Sequence, residues 1–258
     1  MPSRTARIGR ATVRVEDDQP TFWARVEAGG WEPGTLCALD GLAGSGDVVL
    51  DLGAWVGPIT LYAAALGARV IAVEPDPVAL AQLRRNVAAN PELAPLIRIV
   101  PGAIAPQPGR IALGARRKPG DSMSSALLAG SGASTWTSIV VTPAELAAML
   151  PSSGRLVVKL DIEGGEYRLL PAIGPLLARD PALLASFHPL ILSETGELDV
   201  HGATRAALAP LKGWRGREIG RGDRPLRQGL LPDVVLDAID VETWLFDPAP
   251  PETTQRSR

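Results

Sequence analysis

The chain has 258 residues, of which 46% are hydrophobic, and its formal net charge is −2. This size and hydrophobic content suffice for one large domain with its own core, and the near-neutral charge argues against nucleic acid or a membrane surface as a partner. A single cysteine excludes a disulfide framework, and no apolar run is long enough to predict a membrane-spanning helix. The basic start of the chain lacks the apolar segment of a secretory signal, so we expect a cytoplasmic protein.

Residues 1–47 are predicted to form a lead-in that covers one end of a sheet. Residues 1–10 carry no strong pattern and are expected to be flexible. Residues 11–15 alternate as a short strand, and two later segments, 20–28 and 35–42, have helical spacing and end at glycines. The lead-in is therefore expected to be mainly helical.

The most informative stretch, residues 48–75, predicts a nucleotide-binding βαβ unit. An apolar run ends in Asp51, a glycine turn (GAWVG) follows, and an apolar segment with helical spacing comes next. A second apolar run then ends in Glu74. Glycines let the backbone pass close to a ligand, and an acid at the tip of the second strand can accept hydrogen bonds from both ribose hydroxyls.

The glycine turn indicates which nucleotide is bound. Gly53 and Gly57 give the pattern G-x-x-x-G, whereas the turn that holds the pyrophosphate of NAD reads G-x-G-x-x-G. The carboxylate of Asp51 would repel a pyrophosphate and suits a cationic or zwitterionic ligand. S-adenosylmethionine has a ribose, an amino acid end and no phosphate, so the turn favours it over NAD. A turn that merely links a strand to a helix is the alternative.

Beyond this unit, the chain alternates strands and helices, which predicts a parallel sheet with helices on both faces. Further predicted elements are strands at 97–101, 110–113, 137–142, 155–161, 189–194, 214–219 and 241–246 and helices at 76–89, 164–178 and 202–211, with another helix that begins after Thr142. The core domain is expected to span 48–246, followed by a disordered tail over 247–258. The basic segment 212–227 is interpreted as a solvated hairpin rather than a patch for an acidic substrate.

A cluster of charged residues marks the end of the strand predicted at 155–161. Strand alternation places Lys159, Asp161 and Glu163 on one side at the carboxyl end, where open α/β sheets bind ligands. Three charges that leave a buried strand together are costly unless they are paired or used by a ligand, a metal or catalysis. A lysine–carboxylate pair next to a helix N-cap is the structural alternative.

The two histidines of the chain are weaker candidates. His188 precedes the strand predicted at 189–194, so it is expected far from the ligand-binding edge unless Pro189 bends the chain. A structural hydrogen bond is the favoured role for it. His201 lies in a polar loop near the far end of that strand and is a rival for the same catalytic or ligand role.

With these motifs together, the sequence resembles the FkbM-type family of S-adenosylmethionine-dependent methyltransferases. The matching segments are 51–57 (DLGAWVG), 74–77 (EPDP), 83–86, 90–91, 159–166 (KLDIEGGE) and 186–189 (SFHP), with weaker echoes at 31–33 and 121–125. Trp55 departs from the family, which commonly carries Asn at that position.

The resemblance implies an α/β class I methyltransferase fold, which is Rossmann-like, with a mostly parallel sheet of seven strands and helices on both faces. It also implies methyl transfer, usually to a hydroxyl oxygen of a small molecule, a natural product or a sugar. An NAD-dependent oxidoreductase and a catalytically inactive cofactor-binding partner module are the alternatives. The oligomeric state is not predicted.

The resemblance further implies roles for individual residues. The cofactor-binding residues are Asp51, Gly53, Ala54, Trp55 and Gly57 at the methionine end, Glu74 and Pro75 at the ribose, and Ala103 beside the adenine. The catalytic candidates are Asp161 and Glu163, where the methyl group meets the acceptor, with His188 as a third. A divalent metal is left open without assigned ligands, because two acids alone are a thin site.

Overall fold

The computed structural model describes residues 3–16, 18–130, 134–194, 196, 199–219, 227–237 and 243–248. The strands are β1 (Ser3–Ile8), β2 (Ala11–Glu16), β3 (Val48–Leu52), β4 (Arg69–Glu74), β5 (Ile97–Pro101), β6 (Ala103–Ile104), β7 (Arg110–Ala115), β8 (Ser124–Ser125), β9 (Ser134–Val141), β10 (Leu156–Leu160), β11 (Ala182–Ser186), β12 (Arg215–Glu218), β13 (Gln228–Leu230) and β14 (Thr243–Asp247). The α-helices are α1 (Pro20–Glu27), α2 (Pro33–Leu42), α3 (Pro58–Ala65), α4 (Pro77–Ala88), α5 (Pro143–Met149), α6 (Glu166–Leu169), α7 (Gly174–Leu177), α8 (Pro189–Glu194), α9 (Val200–Ala207) and α10 (Asp233–Leu236).

The central sheet of this α/β fold is mixed and has eight described strands, in the order β13-β12-β14-β11-β10-β3-β4-β5. The five strands from β11 to β5 are parallel, whereas β14, β12 and β13 join by antiparallel pairs. The prediction of a mostly parallel sheet of seven strands is therefore wrong in strand number and at one edge. The hairpin of β12 and β13 forms this edge: β12 lies in the basic segment 212–227, where a hairpin was predicted, and β13 begins directly after that segment.

The parallel half of the sheet confirms the predicted βαβ unit. All five residues of β3 are buried, and its four apolar side chains alternate between two hydrophobic clusters on opposite faces of the sheet. Such a strand reads as a continuous apolar run because helices cover both of its faces. The helix after β4 begins as expected, since the side chain of Asp76 accepts hydrogen bonds from the N–H groups of Val78 and Ala79.

The segment around His188 differs from the sequence prediction. Residues 189–194 form the helix α8, and the strand of this region is β11, Ala182–Ser186. Pro189 is the first residue of α8, a position that suits proline because its fixed φ is helical and the missing N–H would have no partner in the helix. His188 therefore follows the carboxyl end of a parallel strand, at the ligand-binding edge, and the expectation that it lies far from this edge is wrong.

The N-terminal lead-in also differs, because its first residues are not a flexible start. Ser3–Ile8 pairs with Ala11–Glu16 in an antiparallel hairpin, whose inward residues Ala6, Ile8, Val13 and Val15 are buried against the main domain. In the sequence, this hairpin is indicated by the alternation of these apolar residues with polar ones. The lead-in thus combines a β-hairpin with the helices α1 and α2.

Two further differences concern a helix and the start of the tail, and the insertion, where strands were predicted at 110–113 and 137–142, forms a sheet of its own. The helix predicted over 164–178 is broken into α6, a 3-10 turn at Leu170–Ala172 and α7, since prolines interrupt the backbone hydrogen bonds of a helix. The insertion after β5 adds a four-stranded sheet, in the order β6-β9-β7-β8. Asp247, assigned to the tail, ends β14, and residues 249–258 lie outside the described part. In the described part of the chain, no helix has both the length and the apolarity to cross a membrane.

Candidate active site

A cleft opens at the carboxyl ends of the parallel strands. The predicted site residues that line it are Gly53, Trp55, Glu74, Pro75, Ala103, Asp161 and Glu163. A second cavity shares five lining residues with this cleft and adds Asp51 and Ala54 from the predicted set. The two cavities therefore adjoin, and the structure brings most of the predicted residues to one place. Gly57 and His188 line neither cavity.

The glycine turn is required by close backbone packing. Gly53 has a φ of +87°, and a Cβ atom at this position would lie 1.9 Å from the carbonyl oxygen of Asp161. Gly57 has a φ of +93°, precedes α3, and packs against a side-chain methyl of Leu83. These glycines thus join β3 to the end of β10 and to α4, while Gly53 also faces the cleft.

Trp55 occupies a left-handed backbone conformation, with a φ of +48°. A bulky residue such as Trp adopts this conformation less readily than Gly or Asn, so the contacts of its side chain must hold it there. The indole of Trp55 donates to the carbonyl of Gly120 at 3.0 Å and packs edge-on against Phe22 at 4.6 Å between ring centroids. Trp55 therefore ties the lead-in and the insertion to the glycine turn.

The carboxylate of Glu74 is held in a fixed orientation at the tip of β4. One oxygen accepts the backbone N–H of Trp55 at 2.6 Å, and the other accepts that of Asp76 at 2.8 Å. Burial raises the pKa of Glu74 to about 8 despite these two hydrogen bonds. A ligand that donates further hydrogen bonds would favour the ionised form.

The segment 120–126 of the insertion is anchored beside the cleft by Asp76. The second carboxylate oxygen of Asp76 accepts hydrogen bonds from the N–H of Gly120 at 2.7 Å and the hydroxyl of Ser124 at 3.0 Å. Asp121, Ser122 and Ser124 consequently line the cleft. Their only sequence signal was the weak motif DSMSS, because the contact that places them spans more than 40 residues.

Lys159 lies at the centre of a buried group of carboxylates. Its ammonium contacts Asp161 at 2.7 Å, and Asp51 is its neighbour on β3 in the sheet register. Glu32, at the start of α2, lines the same cavity. Burial alone would lower the pKa of Lys159, but Asp161, Glu32 and Asp51 together raise it. Burial raises the pKa of both Asp51 and Glu32, and the charge of Lys159 only partly offsets this rise.

The imidazole of His188 lies on the other side of Asp161. Its Nδ1 is 3.1 Å from an oxygen of the fully buried Glu166, and its Nε2 is 3.5 Å from both Asp161 Oδ1 and Glu163 Oε2. Burial alone would lower the pKa of His188, but the hydrogen bond and charge of Glu166, together with the other two acids, raise it to about 10. Burial raises the pKa of Glu163 to about 8.

Lys159 had been noted at the end of its strand, but Glu32 and Glu166 had not been assigned to the site. The motif segments WEP and DIEGGE contain them, yet their roles depend on contacts between distant elements. The backbone N–H of Ile162 donates to Glu166 at 2.9 Å, which turns this carboxylate back toward His188. His201, the rival histidine, is exposed on α9.

The fold and the cleft define an α/β protein with an acid-lined cleft at the carboxyl edge of its parallel strands. The methyltransferase FkbM domain model matches residues 51–207, more than half of the chain. The chain belongs to this methyltransferase family, which confirms the resemblance read from its motifs and gives no support to the oxidoreductase alternative. No curated protein matches it.

Three solved structures are similar to this chain at low identity. A methyltransferase FkbM from Methylobacillus flagellatus KT is 18% identical, with 79% of this chain and 43% of that chain covered and a TM-score of 0.44. The chain thus spans less than half of that protein. A precorrin-6y C5,15-methyltransferase from Geobacter metallireducens GS-15 is 12% identical, with 83% and 84% covered and a TM-score of 0.38. A Pyrococcus abyssi tRNA (uracil-54, C5)-methyltransferase, solved with S-adenosyl-L-homocysteine, is 13% identical, with 71% and 34% covered and a TM-score of 0.38.

Proposed function

We propose that this protein is an S-adenosylmethionine-dependent methyltransferase that methylates a hydroxyl oxygen of a small molecule, a natural product or a sugar in the cytoplasm. The observation that carries the proposal is the position of Glu74. Its carboxylate lines the cleft at the tip of β4, beside the glycine turn, where a ribose would donate two hydroxyl hydrogen bonds. Membership of the methyltransferase family supports the reaction class.

The charges of the site suit a cationic cofactor. Asp51, Asp161 and Glu32 surround the single ammonium of Lys159, and Oδ1 of Asp51 is buried without a hydrogen-bond partner in the described residues. A buried excess of negative charge is costly unless a cation or protons offset it. S-adenosylmethionine supplies a methyl group on a positively charged sulfur, together with an ammonium group that these acids can bind.

Each part of the site has a role in this proposal. Glu74 orients the ribose, since its own carboxylate is held by two backbone N–H groups. Ala103 borders the adenine, and Asp51 with the glycine turn faces the methionine end. Asp161 and Glu163 line both cavities, so they lie where the acceptor would meet the methyl group. With His188 behind them, they are placed to take the hydroxyl proton as the new oxygen–carbon bond forms.

Two variants test this assignment by separating cofactor binding from transfer. We expect Glu74→Gln to weaken S-adenosylmethionine binding about 10- to 100-fold, because hydrogen bonds to a carboxylate are lost. Glu163→Gln should leave calorimetric binding within a few-fold and lower the rate of labelled-methyl transfer about 100-fold or more. The acceptor is found by mass spectrometry of products from extracts of the source organism. Binding of NAD in the absence of S-adenosylmethionine binding would overturn the proposal.

A further inference from the structure

Three potential metal-ligand side chains from two loops converge beside the cleft. Asp161 and Glu163 follow β10, His188 follows β11, and one ligand atom from each lies within 4.8 Å of the other two. The sequence had offered two acids only, because His188 was expected at the opposite edge of the sheet. Because His188 follows β11, the observed position of this strand brings an imidazole nitrogen to the group as the third ligand.

The distances in this group fit a shared ion better than a hydrogen-bonded network. His188 Nε2 is 3.5 Å from both Asp161 Oδ1 and Glu163 Oε2. A charge-assisted N–H···O bond would bring these atoms to about 2.7–2.9 Å. Two ligand atoms that each lie about 2.1 Å from one ion are separated by about 3.0 Å at an octahedral angle and by about 3.4 Å at a tetrahedral angle. The two separations from His188 Nε2 are close to the tetrahedral value, and the ligand atoms all lie within 4.8 Å of one another.

The remaining contacts leave these atoms available. Lys159 holds Oδ2 of Asp161, which keeps Oδ1 directed at the histidine. Oε2 of Glu163 is inaccessible to solvent and has no hydrogen-bond partner in the described part of the chain. Its side chain is 16% exposed, so water compensates it poorly.

The second nitrogen of His188, Nδ1, contacts a carboxylate, as the non-ligating nitrogen of a metal-binding histidine commonly does. Nδ1 lies 3.1 Å from Glu166, whose side chain is fully buried and is itself fixed by the N–H of Ile162. A metal-binding histidine commonly donates its other N–H to a carboxylate, which sets the tautomer and directs the free nitrogen at the ion. Glu166 is thereby a positioning residue.

We infer that Asp161, Glu163 and His188 bind a divalent transition-metal ion, of which Mn²⁺ is a suitable probe, with Glu166 orienting His188. Two carboxylate oxygens and one imidazole nitrogen leave coordination positions open for an acceptor. Because Asp161 and Glu163 line both cavities, an ion between them can bind the acceptor hydroxyl and lower its pKa. This role rests on the proposed function, whereas the binding of the ion does not.

The binding of Mn²⁺ to the protein without cofactor tests the inference. We expect electron paramagnetic resonance titration to show saturable binding of one ion per chain, with a magnetic coupling to a histidine ¹⁴N nucleus. His188→Gln should abolish this coupling. His201→Gln is the matched control, because the chain has only two histidines, and it should keep the coupling. Absence of saturable binding, or a coupling that persists in His188→Gln, would overturn the inference.

Two further variants test the site independently, in case His188→Gln does not fold. Glu163→Gln removes an oxygen without a described hydrogen-bond partner, so it should fold normally and still weaken Mn²⁺ binding at least about tenfold. Glu166→Gln should weaken it about 10- to 100-fold through the loss of orientation. Unchanged affinity in both variants counts against the site. If Mn²⁺ binds as expected but no methyl transfer occurs, only the proposed function fails. If transfer survives chelation and no Mn²⁺ binds, only the metal site fails.

Discussion

Two glycines with the same left-handed backbone show how one atom would disturb the site. Gly53 and Gly46 have φ values of +87° and +91°, but a Cβ at Gly53 would overlap the carbonyl of Asp161, whereas nothing lies within 4 Å of a Cβ at Gly46. An alanine at Gly46 would therefore cause backbone strain alone. An alanine at Gly53 would add a clash where the end of β3 approaches the end of β10.

The first prediction compares alanine at these two glycines. Gly46→Ala should lower the free energy of unfolding by about 1–3 kcal/mol, because it only places a side chain in the left-handed region. Gly53→Ala should cost about 1–3 kcal/mol more, since the turn must also move away from Asp161. Urea unfolding followed by circular dichroism measures both values, and equal losses would contradict the packing described for Gly53.

At the scale of elements, the N-terminal hairpin is held to the main domain by two asparagines, one in the last turn of α4 and one just after it. Asn90, after α4, accepts the N–H of Arg14 at 2.8 Å and donates to its carbonyl at 2.7 Å. Asn86, at the end of α4, accepts the N–H of Glu16 at 2.8 Å. These side chains satisfy the free edge of β2, which explains two asparagines that the family motifs contained without an assigned role.

The second prediction removes one of these anchors. Asn90→Ala leaves both backbone groups of Arg14 without their partner, so the free energy of unfolding should fall by about 1–3 kcal/mol. Hydrogen exchange of the Arg14 amide should become faster, as the hairpin opens more often. Arg84→Ala, on the exposed face of α4, is the control and should change stability by less than about 0.5 kcal/mol. Slow exchange at Arg14 in Asn90→Ala would show that the hairpin is held by other contacts.

At the scale of the whole molecule, the described site concentrates buried acids between two hydrophobic clusters, so stability depends on pH. Glu74 has a folded pKa of about 8 against an ordinary value of 4.5. The folded protein therefore holds this proton more tightly than the unfolded chain does. The corresponding stability is fully present below about pH 4.5 and is lost as the pH rises through about 8.

The third prediction is measured as the slope of stability against pH. The free energy of unfolding of the wild-type protein should decline between about pH 4.5 and 8, with a contribution from Glu74 on the order of a few kcal/mol. Glu74→Gln should remove this part of the decline, whatever its effect on stability at low pH. Glu92→Gln, on the surface, should keep the wild-type slope. Identical slopes in Glu74→Gln and the wild type would show that Glu74 ionises without cost.

Local patterns in the sequence determined those parts of the protein that are built from residues contiguous in the chain. The strand, glycine turn, helix and acid from β3 to Glu74 are contiguous, so residue type and spacing alone place them. The same holds for the charges that end β10. The tertiary structure alone decided the position of β11, the antiparallel edge of the sheet and the meeting of His188, Glu166 and Glu163. An apolar run before or after Pro189 suits a strand or a helix equally well, and the choice depends on packing against elements distant in sequence. The side chains of this site are therefore readable from the sequence, but their convergence is a property of the folded sheet.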